Sequence, residues 1–222
     1  LKKDRQERAF NMINYSGYSV GCFTMPFAQS FLGPMGVIAL GLFDLGNAFF
    51  CNGGTYAMAS AVIGQRKDHS PWALFRPLLT SPVVVIYILM LLLSTLHITL
   101  PEAVLSFTDT ISAANSFIAM LMVGIGLEIR LGKDQGLRVL RVLCMRLIFA
   151  CIVAFLCIRF LPLPLEARQV AALVAFAPVS APSVAYTEKC GGNIALASAI
   201  NSMSILCSVF VMPMVLLALQ IA

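Results

Sequence analysis

Asp44 is a carboxylate set inside a long apolar run, 34–63, well away from the clusters of charge that flank it. In hydrocarbon such a group costs about 2.5–3.5 kcal/mol on insertion scales, which makes it a functional candidate by default. Asn47, Cys51 and Thr55 follow at i+3, i+7 and i+11 and share its face if the run is helical. Two readings stay open for Asp44: a protonatable group beside a bound substrate, or a hydrogen-bond hub that fixes helix packing. Hydroxyls form the second set of candidates. Ser19 and Thr24 stand beside Pro26, and Ser180 and Ser183 stand beside Pro178 and Pro182. Asn115, with Ser112 and Ser116, marks one side of a later segment, and Asn201, with Ser198, Ser202 and Ser208, marks one side of the last. Small polar residues of this kind also serve as ordinary packing contacts between apolar helices.

Other chemistries find little support. Seven cysteines are scattered through apolar runs with no CxxC pair, and only two histidines accompany them, so neither a zinc site nor a disulfide framework is expected. No phosphate-binding Gly-x-x-x-x-Gly-Lys-Ser/Thr loop occurs. Asp44 has no second mid-run carboxylate or histidine to work with as a catalytic pair. No enzyme activity, cofactor or resident metal is expected.

The elements that must position these residues follow from composition. The 222 residues are 59% hydrophobic and 11% charged, with a mean hydropathy of +0.90. A soluble domain carries about 45–50% apolar and about 25% charged residues. The chain is therefore expected to be an all-α polytopic membrane protein, since each apolar run reaches the length of about 20 residues that a span requires. The runs lack the two-residue alternation of a membrane β-barrel. Charge clusters divide the chain into seven expected spans, roughly 9–32, 34–63, 78–98, 104–128, 138–161, 167–188 and 193–220. With the first residues cytoplasmic, the inner connectors hold Lys2, Lys3, Arg5, Arg8, Arg66, Lys67, Arg76, Arg130, Lys133, Arg138, Arg141, Arg146 and Lys189, and the outer ones only Arg159 and Arg168. That asymmetry is the positive-inside pattern of a plasma (inner) membrane protein, with the C-terminus outside. The net charge of +5 thus reflects orientation, and no nucleic-acid partner is expected. Glu128 and Arg130 read as an interfacial pair, and His97 as a solvated group.

Two of these spans make poor continuous helices. The first holds Ser16-Gly17-Tyr18-Ser19-Val20-Gly21 and Pro26, and the sixth holds Ala177-Pro178-Val179-Ser180-Ala181-Pro182-Ser183. Proline removes a backbone donor and frees a carbonyl, and glycine weakens the helix further. Unpaired N–H groups at the start of one half would suit a carboxylate, and unpaired carbonyls at the end of the other a cation or proton. A shift of 156 residues places Pro26 on Pro182, Thr24 on Ser180, and Gly36-Val37-Ile38-Ala39-Leu40 on Gly192-Asn193-Ile194-Ala195-Leu196. This predicts an internal repeat. The copies are five spans apart, an odd number, so they should be inverted relative to each other. Residues 1–64 then hold the last two helices of one repeat, 65–77 a cytoplasmic loop, and 78–222 a complete five-helix second repeat. The first repeat should begin about 85 residues upstream of Leu1.

In four stretches the chain resembles the auxin efflux carrier family, the relatives of PIN-type auxin exporters that include bacterial malonate transporters. The stretches are Ser16–Phe27 with Gly33, Phe43-Asp44-Leu45-Gly46-Asn47, Gly124-Ile125-Gly126-Leu127-Glu128, and 177–199. The resemblance covers nearly the whole chain and implies the fourth to tenth helices of a ten-helix fold, with two broken helices crossing at the centre. It implies a proton- or potential-coupled carrier of small organic anions such as dicarboxylates or auxin-like acids. Ser19 stands where many members carry Asn, so a hydroxyl replaces an amide donor.

The expected function is therefore secondary transport by alternating access, with Ser19, Thr24, Pro26, Asn47, Asn115, Pro178, Ser180, Pro182, Ser183 and Asn201 near the substrate and Asp44 as the coupling residue. The lipid bilayer and a small organic anion are the expected partners, with H+ coupling and a homodimer left open. A channel would need a continuous polar lining, whereas the polar residues here gather near two breaks. A seven-helix receptor would place its N-terminus outside, against the charge pattern.

Overall fold

A computed structural model describes residues 2–29, 31–64, 82–125 and 135–219. The expected loop 65–77 with Arg66, Lys67 and Arg76, the helix end at Glu128 and Arg130, and Lys133 lie outside the described residues, as do the side chains of Cys51 and Ser116. The protein is mostly helical, and no strand occurs among the described residues. Its α-helices, in chain order, are α1 (Lys2–Tyr15), α2 (Met25–Gln29), α3 (Pro34–Asn47), α4 (Tyr56–Ile63), α5 (Pro82–Thr95), α6 (Glu102–Ile125), α7 (Gly136–Phe160), α8 (Leu165–Val174), α9 (Pro182–Lys189) and α10 (Ile194–Ala218). Two π-helical segments join them, Val20–Thr24 ahead of α2 and Ala48–Thr55 between α3 and α4.

The helix starts have local causes. Gly33 precedes α3 and Pro34 takes its first turn, where a missing N–H is no loss. Asn193 caps α10 by accepting the Leu196 N–H at 3.0 Å. Between α1 and the Val20 segment the chain leaves helical geometry at Ser16–Ser19, and Gly17 takes φ 84°, a left-handed conformation open to glycine at little cost. The second interruption separates α8 from α9, where Pro178 and Pro182 deny the helix two donors. Both interruptions fall where glycine and proline placed them in the sequence.

These two interruptions lie at the centre of the packing. Val20, Ala28 and Leu40 bury against Val170, Val174 and Ala177, while Val139 and Val142 of α7 close on Val179, Leu196 and Ile200. A third cluster joins Phe23 and Leu173 to Met212 and Leu216 of α10. Ala9 and Ile13 of α1 pack on Ala59 of α4 and on Cys190. Among the described residues two helices, α7 and α10, are long and apolar enough to cross a membrane. Large apolar side chains also cover much of the outer surface: Leu91, Phe107, Phe117, Phe155, Phe160 and Phe210 are each more than 60% exposed.

One placement differs from the sequence expectation. The charge pattern puts Arg146 in a charged connector, yet it lies in α7 at the eleventh residue, about 15 Å from the helix start. Arg138 near that start does behave as a surface group, pairing with Glu7 of α1 at 3.1 Å.

Candidate functional site

The interruptions meet. Tyr18 and Val179 form an isolated antiparallel bridge, and the Ser19 N–H donates to the Pro178 carbonyl at 2.9 Å. The two bridge residues are 161 positions apart in sequence (179 − 18).

Buried backbone polar groups must find partners, so each interruption poses an accounting question. In the first, Asn47 reaches across from α3 and engages both main-chain groups of Tyr18: its Oδ1 accepts the Tyr18 N–H at 3.2 Å and its Nδ2 donates to the Tyr18 carbonyl at 2.8 Å. The amide thus acts as a short piece of β-ladder. The Ser19 carbonyl accepts both the Thr24 N–H at 3.1 Å and the Thr24 hydroxyl at 3.0 Å. In the second interruption Ser204 accepts the Val179 N–H at 3.0 Å, and Ser208 donates to the Phe176 carbonyl at 2.9 Å. Arg146 serves both. Its guanidinium donates to the carbonyls of Tyr15 at 2.8 Å, Gly17 at 3.1 Å and Ala177 at 3.2 Å, and lies over the Tyr18 ring at 5.3 Å.

The expectation of open carbonyl ends is therefore corrected. These groups point into protein and are met by Arg146, Asn47, Thr24, Ser208 and the facing interruption. Leaving several such groups unmet in an apolar interior would cost about 1–3 kcal/mol each, which is the physical reason they are covered.

Beside the crossing lies a cleft of about 850 Å³, bordered by Tyr15, Ser16, Gly17 and Tyr18, by Phe43, Asn47 and Thr55, and by Arg146 and Phe149. Its walls are mainly apolar, with Arg146 as the cation and Asn47 as the amide. Asp44 sits one helical turn before Asn47, whose Nδ2 is 3.4 Å from its Oδ1. Its other carboxylate oxygen comes so near Gly21 that a Cβ added there would stand 3.4 Å from it. The carboxylate thus faces the start of the second half of the first interrupted helix. Ser16 and Thr55, which border the cleft, also line with Ser180 and Ser183 a hollow of only about 10 Å³.

Among the sequence candidates, Ser19, Thr24, Pro178, Ser180, Ser183, Asn47 and Asp44 gather at or beside the crossing. Pro26 is buried in α2, and Pro182 opens α9. Asn115 is exposed on α6, outside the lining of the cleft. Asn201 also stays out of the cleft, its carbonyl accepting the Ser204 hydroxyl at 2.7 Å. Sequence reasoning missed Arg146 and Ser204. The available signal for Arg146 was its depth, eight residues beyond the expected span start at 138.

Among the described residues no group of His, Cys, Asp or Glu could hold a metal, and the described cysteines are free thiols. Burial pushes the Cys190 thiol up, away from the reactive thiolate. The chain matches no family model, no curated protein and no solved structure.

Proposed function

We propose that the protein is a membrane-embedded secondary carrier of small organic anions, similar to the auxin efflux carrier family. The observation that carries this reading is the crossing of two interrupted helices around Arg146 at the wall of an 850 Å³ cleft. An apolar cleft with a few convergent polar groups is the usual form of a small-molecule site, and a cation in it selects for negative charge. Interrupted helices that meet inside a protein are a recurrent plan of secondary transporters. The dense outward apolar surface and the two long apolar helices support placement in a bilayer. In this reading the remaining runs also span, the first residues are cytoplasmic, the C-terminus is external, and the chain holds seven of ten helices of an inverted repeat.

Asp44 would couple a proton to the anion. It is close enough to Asn47 and Gly21 for its charge to be felt at the crossing, while remaining outside the lining of the cleft. Purified full-length protein in liposomes under an imposed proton gradient tests the reading. Labelled malonate, malate, short monocarboxylates and auxin-like acids are offered in turn, and saturable, exchange-capable uptake of at least one is expected. Failure of all of them to move sinks the anion-carrier reading, and non-saturating flux would favour a channel.

A further inference from the structure

We infer that Arg146 is a tethered cation: its guanidinium occupies the carbonyl side of both interruptions, where a dissociable coupling ion would otherwise sit, and holds the crossing together without one. The inference rests on the carrier reading only for the term coupling ion; the geometry stands without it.

The C-terminal end of a helix carries partial negative charge on its last carbonyls. α1 ends at Tyr15 and α8 at Val174, so two such ends approach each other where the interruptions meet. Bringing them together calls for positive charge. The Tyr15, Gly17 and Ala177 carbonyls come from both interruptions and converge on one guanidinium at 2.8, 3.1 and 3.2 Å. Its planar fork can address several carbonyls in one plane while its face lies on the Tyr18 ring, which a spherical ion cannot do. Among the described residues Arg146 bonds main-chain groups of both interruptions, while Asn47 bonds those of the first and Ser204 and Ser208 those of the second. It also borders two spaces, the large cleft and a hollow of about 40 Å³. Residue types around it give no other reason for a charge at this depth: Met145, Leu147 and Phe149 are apolar and exposed.

A tethered cation makes the wild-type protein indifferent to small cations at the crossing, and its removal should leave a gap that fits the planar guanidinium ion and not a spherical one. The test uses thermal unfolding of the full-length protein in detergent. Exchanging Na+ for K+ or choline should leave the wild-type Tm unchanged. Arg146→Ala should unfold at lower temperature, and millimolar guanidinium should raise its Tm by about 2–4 °C without raising that of the wild type. Matched NaCl or urea should not. Arg146→Lys, a point charge that cannot span three carbonyls, should recover less than guanidinium restores to the alanine variant. If Arg146→Ala does not fold, Arg146→Gln takes its place in the same measurement. A wild-type Tm that rises with Na+, or a guanidinium response equal in wild type and variant, overturns the inference. These readouts report binding and stability, so they remain decisive even if no anion is transported.

Discussion

Asn47 and Asp44 stand one helical turn apart and do different work. Asn47 completes the main-chain bonding of Tyr18, so Asn47→Ala leaves a donor and an acceptor of the crossing unmet. A loss of about 2 kcal/mol is expected, read as a lower Tm in detergent. Asn47→Asp should be at least as damaging, because a carboxylate can still accept the Tyr18 N–H but faces the Tyr18 carbonyl with another acceptor. Among the described residues Asp44 makes no main-chain hydrogen bond of that kind, its bond being with the Asn47 side chain. Asp44→Asn should therefore retain the fold, abolish gradient-driven accumulation and spare counterflow. Equal loss of both transport modes at unchanged Tm would make Asp44 a binding residue in place of a proton carrier. At this scale the sequence was informative where a residue type is costly in its setting, as with Asp44 in an apolar run. It was misleading for Arg146, because Arg138, Arg141 and Arg146 read as one basic cluster at a helix end. The helical rise carries the third of them well inside α7, where it meets carbonyls in place of water.

Between residues and fold lie the interruptions themselves. Glycine and proline made both of them legible, since few other residues accept left-handed geometry or forgo an N–H without strain. Their partners were not legible, because contact between residues 18 and 179 depends on how distant helices pack. The π segments were also missed, although they share a device: Thr24 donates its hydroxyl to the carbonyl of Ser19, and Thr55 to that of Phe50, each five residues back and each at 3.0 Å. A threonine closing a wide turn looks, in sequence, like any helical threonine. Gly17 permits a direct test. Gly17→Ala must hold φ 84° with a Cβ, at a cost of about 1–2 kcal/mol. Faster hydrogen exchange at the Tyr18 and Ser19 amides is expected, with exchange in α6 unchanged. Uniform protection across the variant would mean that the interruption does not depend on that conformation.

For the molecule as a whole, apolar side chains fill the core and also cover the outside, unlike in a soluble bundle. The core around the crossing adds buried Ser, Thr and Asn to its apolar clusters, and the outside is rich in Phe, Leu and Ile. Composition alone made that apolar exterior readable, because a chain with 11% charged residues has too few to cover its surface. If the surface faces lipid, the protein expressed in cells should stay in the membrane pellet after alkaline carbonate washing. Release into the supernatant as a folded species would mean that other protein covers those faces.

The Tyr18–Val179 bridge has a mechanical consequence for that whole. It fastens two chain segments, 161 positions apart in sequence (179 − 18), at a single place, with the Arg146 side chain from a third helix pinning the same place. Sliding one segment past the other would have to break the Ser19–Pro178 bond and the guanidinium contacts together. The crossing is thus a rivet: two distant stretches of one chain share a single fixed point, and any change of shape in the protein has to carry that point along intact.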